Sequence, residues 1–408
     1  MILKGFLRKI TQKFCFKAKI LHNSKNYCNF APEIELTMAY KSIDELQKTL
    51  GGTVFKHTKD AKKAAGRALG TMIEIITFYL INYWRLTFNT SIERGLAEYG
   101  NPEITHNVEF SLHPILKIEK VSIKKELKNI TAQHIVSKLN LPEDFTIKKN
   151  ILLDTNGTCK NACVIAESEE EIVLAFLHKI TKEQIEINIV WQSQSPFAMF
   201  ECKRVGVEEG NKKGPQTIEK AKQGAYVAKM TSSLQKIRTD EGERYGLLYE
   251  EGKAIIKPYF ELLDDVINHR EQIPENFILS IGVVSNHGNW FTQEDQNKEL
   301  KVLAQSYDWL LFLTDEGLAQ FITDLLLKPK KEYAPVRKAF LESYKEGKKQ
   351  NTFTKVKINM EAHLALVEYF HKNAMEIQNW FNIISPVNGS LSMLQSDLNS
   401  LTIKANKI

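Results

Sequence analysis

Glu201-Cys202-Lys203 follows the apolar run 196–200, so an acid and a base lie two residues apart on what reads as a β-strand. Side chains on a strand alternate between faces, and residues i and i+2 share one. The carboxylate and the ammonium therefore meet over one point in space. A carboxylate placed there can hold Mg²⁺. The lysine beside it can orient or deprotonate an attacking water, or neutralise charge developing on a phosphate, which are the needs of metal-assisted phosphodiester hydrolysis. Cys202 points to the opposite face and reads as a small core residue.

A metal needs further oxygen ligands. The apolar strand 150–153 ends in Asp154 and the turn Thr155-Asn156-Gly157, which leaves that carboxylate free to converge on a metal with Glu201. Glu186, inside the strand-like run 185–191 and at hairpin distance from the triplet, is the alternative first acid. Glu74 is a third acid of interest. From Thr71 to Trp84 the chain carries no other charge, and a buried carboxylate without a partner is costly. Glu74 therefore needs either a partner or a wet stripe on an otherwise buried helix.

These residues need elements to position them. Beyond the triplet comes a basic loop containing Lys212 and Lys213, and Gly214-Pro215 then opens a helix predicted through Arg238. One of its faces carries Gln216, Lys220 and Gln223. Ile218, Ala221, Ala225 and Ala228 form a slim apolar stripe that lets the helix lie close on a sheet. Residues 167–182 read as an acidic, partly helical excursion. The apolar run 276–285 predicts a central strand, 293–305 a polar helix, 309–313 a second buried strand, and Thr314 the cap of a helix through Leu327. Such alternation predicts a sheet with parallel members.

Taken together, the triplet, the polar helix behind it and the order helix, strands, helix, strand over residues 60–325 resemble the PD-(D/E)xK nuclease superfamily, and within it the type II restriction endonucleases. No Pro-Asp dipeptide precedes the triplet. The resemblance implies an α/β fold with a restriction-endonuclease-like central mixed sheet flanked by helices, Mg²⁺ as cofactor and double-stranded DNA as substrate. It implies that Asp154, or Glu186 in its place, binds metal with Glu201, that Lys203 positions the water, and that Glu74 assists. Gln216, Lys220, Gln223, Lys212 and Lys213 would face DNA. A homodimer reading a palindromic site, a cognate DNA methyltransferase and a cytoplasmic setting go with that reading. Two alternatives stay open: a repair or recombination nuclease of the same fold, suggested by Gln223 and Tyr226, and a non-enzymatic DNA-binding α/β protein. Asn286-His287-Gly288-Asn289 has a flavour of histidine nucleases but reads more readily as a turn.

Composition agrees with this frame. The chain has 408 residues, 43% hydrophobic, with a net charge of +6, enough to bury a core and mildly basic. Basic clusters at 56–63, 117–128, 203–213 and 328–331 are candidates for phosphate contacts. The five cysteines, Cys15, Cys28, Cys159, Cys163 and Cys202, form no regular framework, as a reducing compartment permits. No uncharged apolar stretch reaches the length of a membrane span. The predicted organisation is a basic leader over 1–37, with Met38 as a natural start, a nuclease core with insertions over 38–332, and a helical C-terminal appendage over 333–408 suited to dimerisation or DNA contact.

Overall fold

The computed structural model describes residues 43–125, 127–205, 215–240, 244–286, 298–347 and 350–407. The leader 1–37, Cys15, Cys28, Lys212, Lys213 and the turn from His287 lie outside them.

Helix α1 (Ile43–Thr53) leads into α2 (Ala61–Tyr83), which Asp60 caps by accepting from the Lys63 amide. The second half of α2 is apolar almost all round and is buried from Ile75 to Ile81, as expected of a helix enclosed by protein on every side. By length and composition α2 could cross a membrane, because its Ala- and Gly-rich first turns extend the apolar stretch. Within the fold, 67% of that window is buried.

The hairpin β1 (Thr90–Glu98) and β2 (Asn101–Leu112) follows. The chain then leaves the main sheet for an insertion, residues 113–197. It holds β3 (Ile115–Lys124), β4 (Cys163–Glu167), β5 (Glu171–Ile180) and β6 (Gln184–Ser193), an antiparallel sheet in the order β3-β6-β5-β4 with the short strand Thr146–Ile147 at its edge. β5 corrects the partly helical reading of 167–182. Its Ile172, Val173, Leu174 and Ala175 are all fully buried, and burial on both faces hides strand alternation behind the acidic run that precedes it.

The two connections of the insertion pass side by side through a buried polar neck. His113 Nδ1 donates to the Ser193 carbonyl at 2.8 Å, and Ser111 Oγ lies 2.8 Å from His113 Nε2. Ser91 Oγ donates to Gln192 at 2.9 Å, and Asn89 and His113 exchange bonds through the Asn89 carbonyl and the His113 carbonyl.

β7 (Ala198–Val205) re-enters the main sheet, antiparallel to β2 and parallel to β8 (Leu279–Asn286). Between them α3 (Pro215–Met230) covers one face. It ends at Met230, earlier than predicted, because Ser232 turns the chain by accepting from the Leu234 and Ile278 amides. Gln235–Arg238 is consequently a strand, the first of a three-stranded antiparallel sheet. After α4 (Lys298–Ala304), β9 (Trp309–Leu313) adds in parallel to β8, and α5 (Asp315–Ile322) starts on Thr314, which accepts from the Gly317 amide. The apolar runs at β8 and β9 are buried strands, as expected.

Residues 333–408 are not an appendage. α6 (Met360–Lys372) packs on α2, and β10 (Phe381–Ser385) pairs antiparallel with β9 as the outer strand of the sheet. α7 (Leu391–Ala405) follows, with Leu391, Leu394, Leu398 and Leu401 buried. The main sheet is mixed and six-stranded, in the order β1-β2-β7-β8-β9-β10. A large core fills the space between it and the α2 side, and a smaller one lies under α3 and α4.

Candidate active site

The registers of β1, β2 and β7 build a row of glutamates. Ile92 pairs with Phe110 and Arg94 with Val108, so Glu93 stands opposite Glu109. Ala198 pairs with Leu112, Met199 with Ser111 and Phe200 with Phe110, and there the ladder between β2 and β7 stops. The next rung would set Glu201 against Glu109. Like charges directly opposite each other destabilise a pair, and here the Lys203 ammonium lies between the two acids. Glu93 has a φ of 55°, a left-handed conformation uncommon for a residue with a side chain and found where backbone strain accompanies a special site.

Two ammonium groups hold this row together. Lys203 Nζ lies 2.6 Å from Glu201 Oε1 and 3.8 Å from Glu109 Oε1. Lys355 Nζ, from the segment before α6, ion-pairs with Glu109 Oε2, with Glu74 Oε2 at 3.1 Å and with Glu93 Oε1 at 3.3 Å. Glu74 comes from α2, which packs on the face that Cys202 points to, with Cys202 Sγ 3.4 Å from Thr77 Oγ1. The partner that Glu74 needs is thus Lys355.

Burial dominates the electrostatics. It holds the Glu201 carboxyl above the ordinary carboxylate range, with the Lys203 ammonium pulling the other way. The Glu74 carboxyl is raised for the same reason, against the pull of Lys355. Glu201 is 4% exposed, and its Oε2 has no hydrogen-bond partner among the described residues. Such an atom costs free energy unless something satisfies it.

One wall of the site depends on close backbone approach. Gly224 of α3 lies directly over Glu201: a Cβ there would come within 2.6 Å of Glu201 Cγ and 2.5 Å of the Tyr307 hydroxyl oxygen. Gly282, the β8 partner of Glu201, leaves room for the Tyr307 ring, which an added Cβ would meet at 2.7 Å. Tyr307 is buried, and burial, followed by the Glu201 charge, raises its phenol well above the ordinary value. It stays a neutral hydroxyl.

No family model, curated protein or solved structure matches the chain. The geometry alone carries the reading of the site.

Among the sequence candidates, Glu201, Lys203 and Glu74 come together. Asp154 does not join them. It lies between the short strands Ile151–Leu153 and Thr158–Lys160 of a separate small sheet, and its carboxylate accepts from the Asn156 and Thr158 amides at 2.8 and 2.9 Å. A strand-end acid followed by Thr-Asn-Gly is here a turn-closing acid. Glu186 is also placed elsewhere, half-buried in the insertion sheet, opposite Ser122 and Lys179. The neighbouring acid is Glu109, which the sequence reading missed, as it missed Lys355, Tyr307 and Glu93. The available signal was that β2 and β7 flank one long insertion, which makes an acid near the end of β2 the neighbour of Glu201.

On α3, Gln223 is exposed one residue from Gly224, while Tyr226 is exposed with its ring 5.7 Å from that of His106. Gln216 and Lys220 fall on the first turns of α3, whose side chains are not described. Lysines 56, 59, 62 and 63, 117, 120, 124 and 128, and 328, 330 and 331 are all exposed. Cys159 and Cys163 are buried, and burial raises both thiols to about 12, so neither is poised as a thiolate.

The donor set suits a hard cation. Mg²⁺ binds through one or two carboxylates, with waters and substrate phosphates completing its shell. Glu109 and Glu201 could supply such a pair only by sharing oxygens now engaged by Lys203 and Lys355, and the orphaned Glu201 Oε2 is an oxygen that a cation would satisfy. Among the described residues no three His, Cys, Asp or Glu side chains form a ready-made metal cage. The Lys355 ammonium stands among three of the acids instead.

Proposed function

We propose that this chain is a Mg²⁺-dependent endodeoxyribonuclease of the PD-(D/E)xK kind, and within that group a type II restriction endonuclease acting on double-stranded DNA. The observation that carries the reading is that Glu201 and Glu109, from the neighbouring strands β7 and β2, share the Lys203 ammonium, at 2.6 Å and 3.8 Å. The element order supports it: a buried helix bearing an acid, a hairpin, the triplet strand, a covering helix, then a parallel strand.

Glu201 and Glu109 would hold the ion, which when bound would polarise the scissile phosphate and acidify a water. Lys203 lies between both acids. Its ammonium can hold the attacking water or donate to a phosphate oxygen as negative charge builds there. Gly224 and Tyr307 keep Glu201 fixed and shield its carboxyl from solvent. The exposed lysines around the fold supply candidate phosphate contacts, and their effect would weaken with salt. The insertion between β2 and β7 is a folded unit large enough to read bases, which favours a site-specific enzyme. Pairing as a homodimer, a partner methyltransferase and a cytoplasmic setting belong to the same proposal.

The test is incubation of purified protein with unmethylated plasmid and phage DNA in Mg²⁺, beside EDTA and Lys203→Ala controls. Discrete fragments absent from both controls are expected. A smear would replace the restriction reading with a repair-type nuclease. Intact DNA, with DNA binding retained, would overturn catalysis.

A further inference from the structure

Lys355 is 4% exposed, yet it lies in a polar stretch between helices. Its backbone is pinned: the Lys355 carbonyl accepts from Asn161 Nδ2 at 2.8 Å, the Val356 carbonyl accepts from the Asn161 amide at 2.9 Å, and Lys357–Asn359 pairs with Thr158–Lys160. The insertion thus fixes the segment that carries the ammonium to Glu74, Glu93 and Glu109. Burying a lysine is unfavourable unless anions surround it. Here three do, and they converge from a helix and two strands.

We propose that Lys355 is a positioning residue that acts as the resident cation of this acidic row, standing where a second divalent ion would otherwise bind, so that the protein takes one divalent ion per chain. The proposal rests on the metal-nuclease reading of the site. When all six groups are ionised, Glu74, Glu93, Glu109 and Glu201 against Lys203 and Lys355 leave a net charge of two negative, which one divalent ion balances. Lys355 occupies the Glu74 and Glu93 side of Glu109. The oxygen left for a divalent ion is the unpartnered Glu201 Oε2, on the acid that pairs with Lys203 and not with Lys355. A second divalent ion would have to sit against the ammonium and would leave the cluster positive.

The experiment counts bound Mn²⁺ on the full chain, without DNA, by equilibrium dialysis and electron paramagnetic resonance. Wild type is expected to hold one ion and Lys355→Arg one. Lys355→Met, or Lys355→Gln if the methionine variant does not fold, is expected to hold two that are magnetically coupled. Two coupled ions in wild type, no bound ion in wild type, or a single ion in the folded neutral variants would overturn the proposal. Should no neutral variant fold, the wild-type count decides: one ion upholds the proposal and two defeat it. DNA cleavage is scored separately. A protein that holds one ion and never cuts sinks the nuclease reading while leaving the role of Lys355 standing.

Discussion

Glu109 and Asp154 make the sharpest contrast among single residues. Both are acids near strand ends, but Glu109 stands beside Glu201 and shares Lys203 with it, whereas Asp154 spends its oxygens on two turn amides. Glu109→Gln keeps the shape and removes the charge. If the proposed function holds, it should lower cleavage on the order of 10²-fold or more, the scale of a lost charge-stabilising group in an active site, and it should also lower the melting temperature, because it takes one of its three anions from the buried Lys355 ammonium. Asp154→Ala should cost about 1–2 kcal/mol through its lost turn bonds and leave cleavage intact. Plasmid cleavage and thermal melts of the two variants check this, and reversed phenotypes would return Asp154 to the site. The pair Glu201 and Lys203 was legible because strand alternation is local. Glu109 was not, because its nearness to Glu201 depends on a register made across the whole insertion. Lys355 was hidden for a related reason: its segment has the composition of a linker, and only the three acids around it explain its burial.

Among elements, the neck at 113 and 193 governs how the insertion is held and how it responds to acid. His113 is fully buried, with one ring nitrogen donating to a carbonyl and the other facing a serine hydroxyl, and burial lowers its pKa to about 4. The unfolded chain, with an ordinary histidine, binds the proton first as pH falls. Stability from this group is therefore complete above about pH 6.5 and is lost as pH drops toward 4, by at most about 3 kcal/mol. His363, facing the Tyr79 hydroxyl at 2.9 Å, is also lowered to about 4 by burial and acts in the same sense. Asp397, raised to about 6 by burial, acts in the opposite one. Urea unfolding at pH 7 and pH 4.5 should show a smaller loss for His113→Asn than for wild type, and equal losses would dismiss the role of the neck. Element types were readable where burial is two-sided and long, as at β8 and β9. They were misread where a polar preface masked the pattern, as at β5, or where one serine ended a helix at Met230.

Across the whole molecule, the main sheet is closed by the last part of the chain. β10 covers the edge of β9, α6 covers α2, and Trp380 packs so tightly on α5 that a Cβ at Gly317 would meet it at 2.4 Å. A chain cut after residue 332 would expose a buried strand edge and one face of α2, and it would also lose Lys355. It should show no cooperative thermal transition and should be digested quickly by dilute protease. A sharp melt from that fragment would restore the reading of 333–408 as an appendage. The basic, polar composition and the helical look of 359–384 suggest a helical tail, and α6 bears that out while 381–385 proves to be a strand. A five-residue edge strand between them carries too little pattern to announce which sheet it joins.

The acidic row also imposes an order in time. A ribosome makes Glu74, Glu93, Glu109 and Glu201 before it makes Lys355, and residues 381–385 come later still. A chain emerging from the ribosome therefore holds its acids before it holds the ammonium that lets three of them sit together, and it lacks the strand that completes the sheet. If the proposed function holds, a partly made chain still lacks the strand that completes the sheet carrying Glu201, so cutting would begin only once residues 381–385 have joined it.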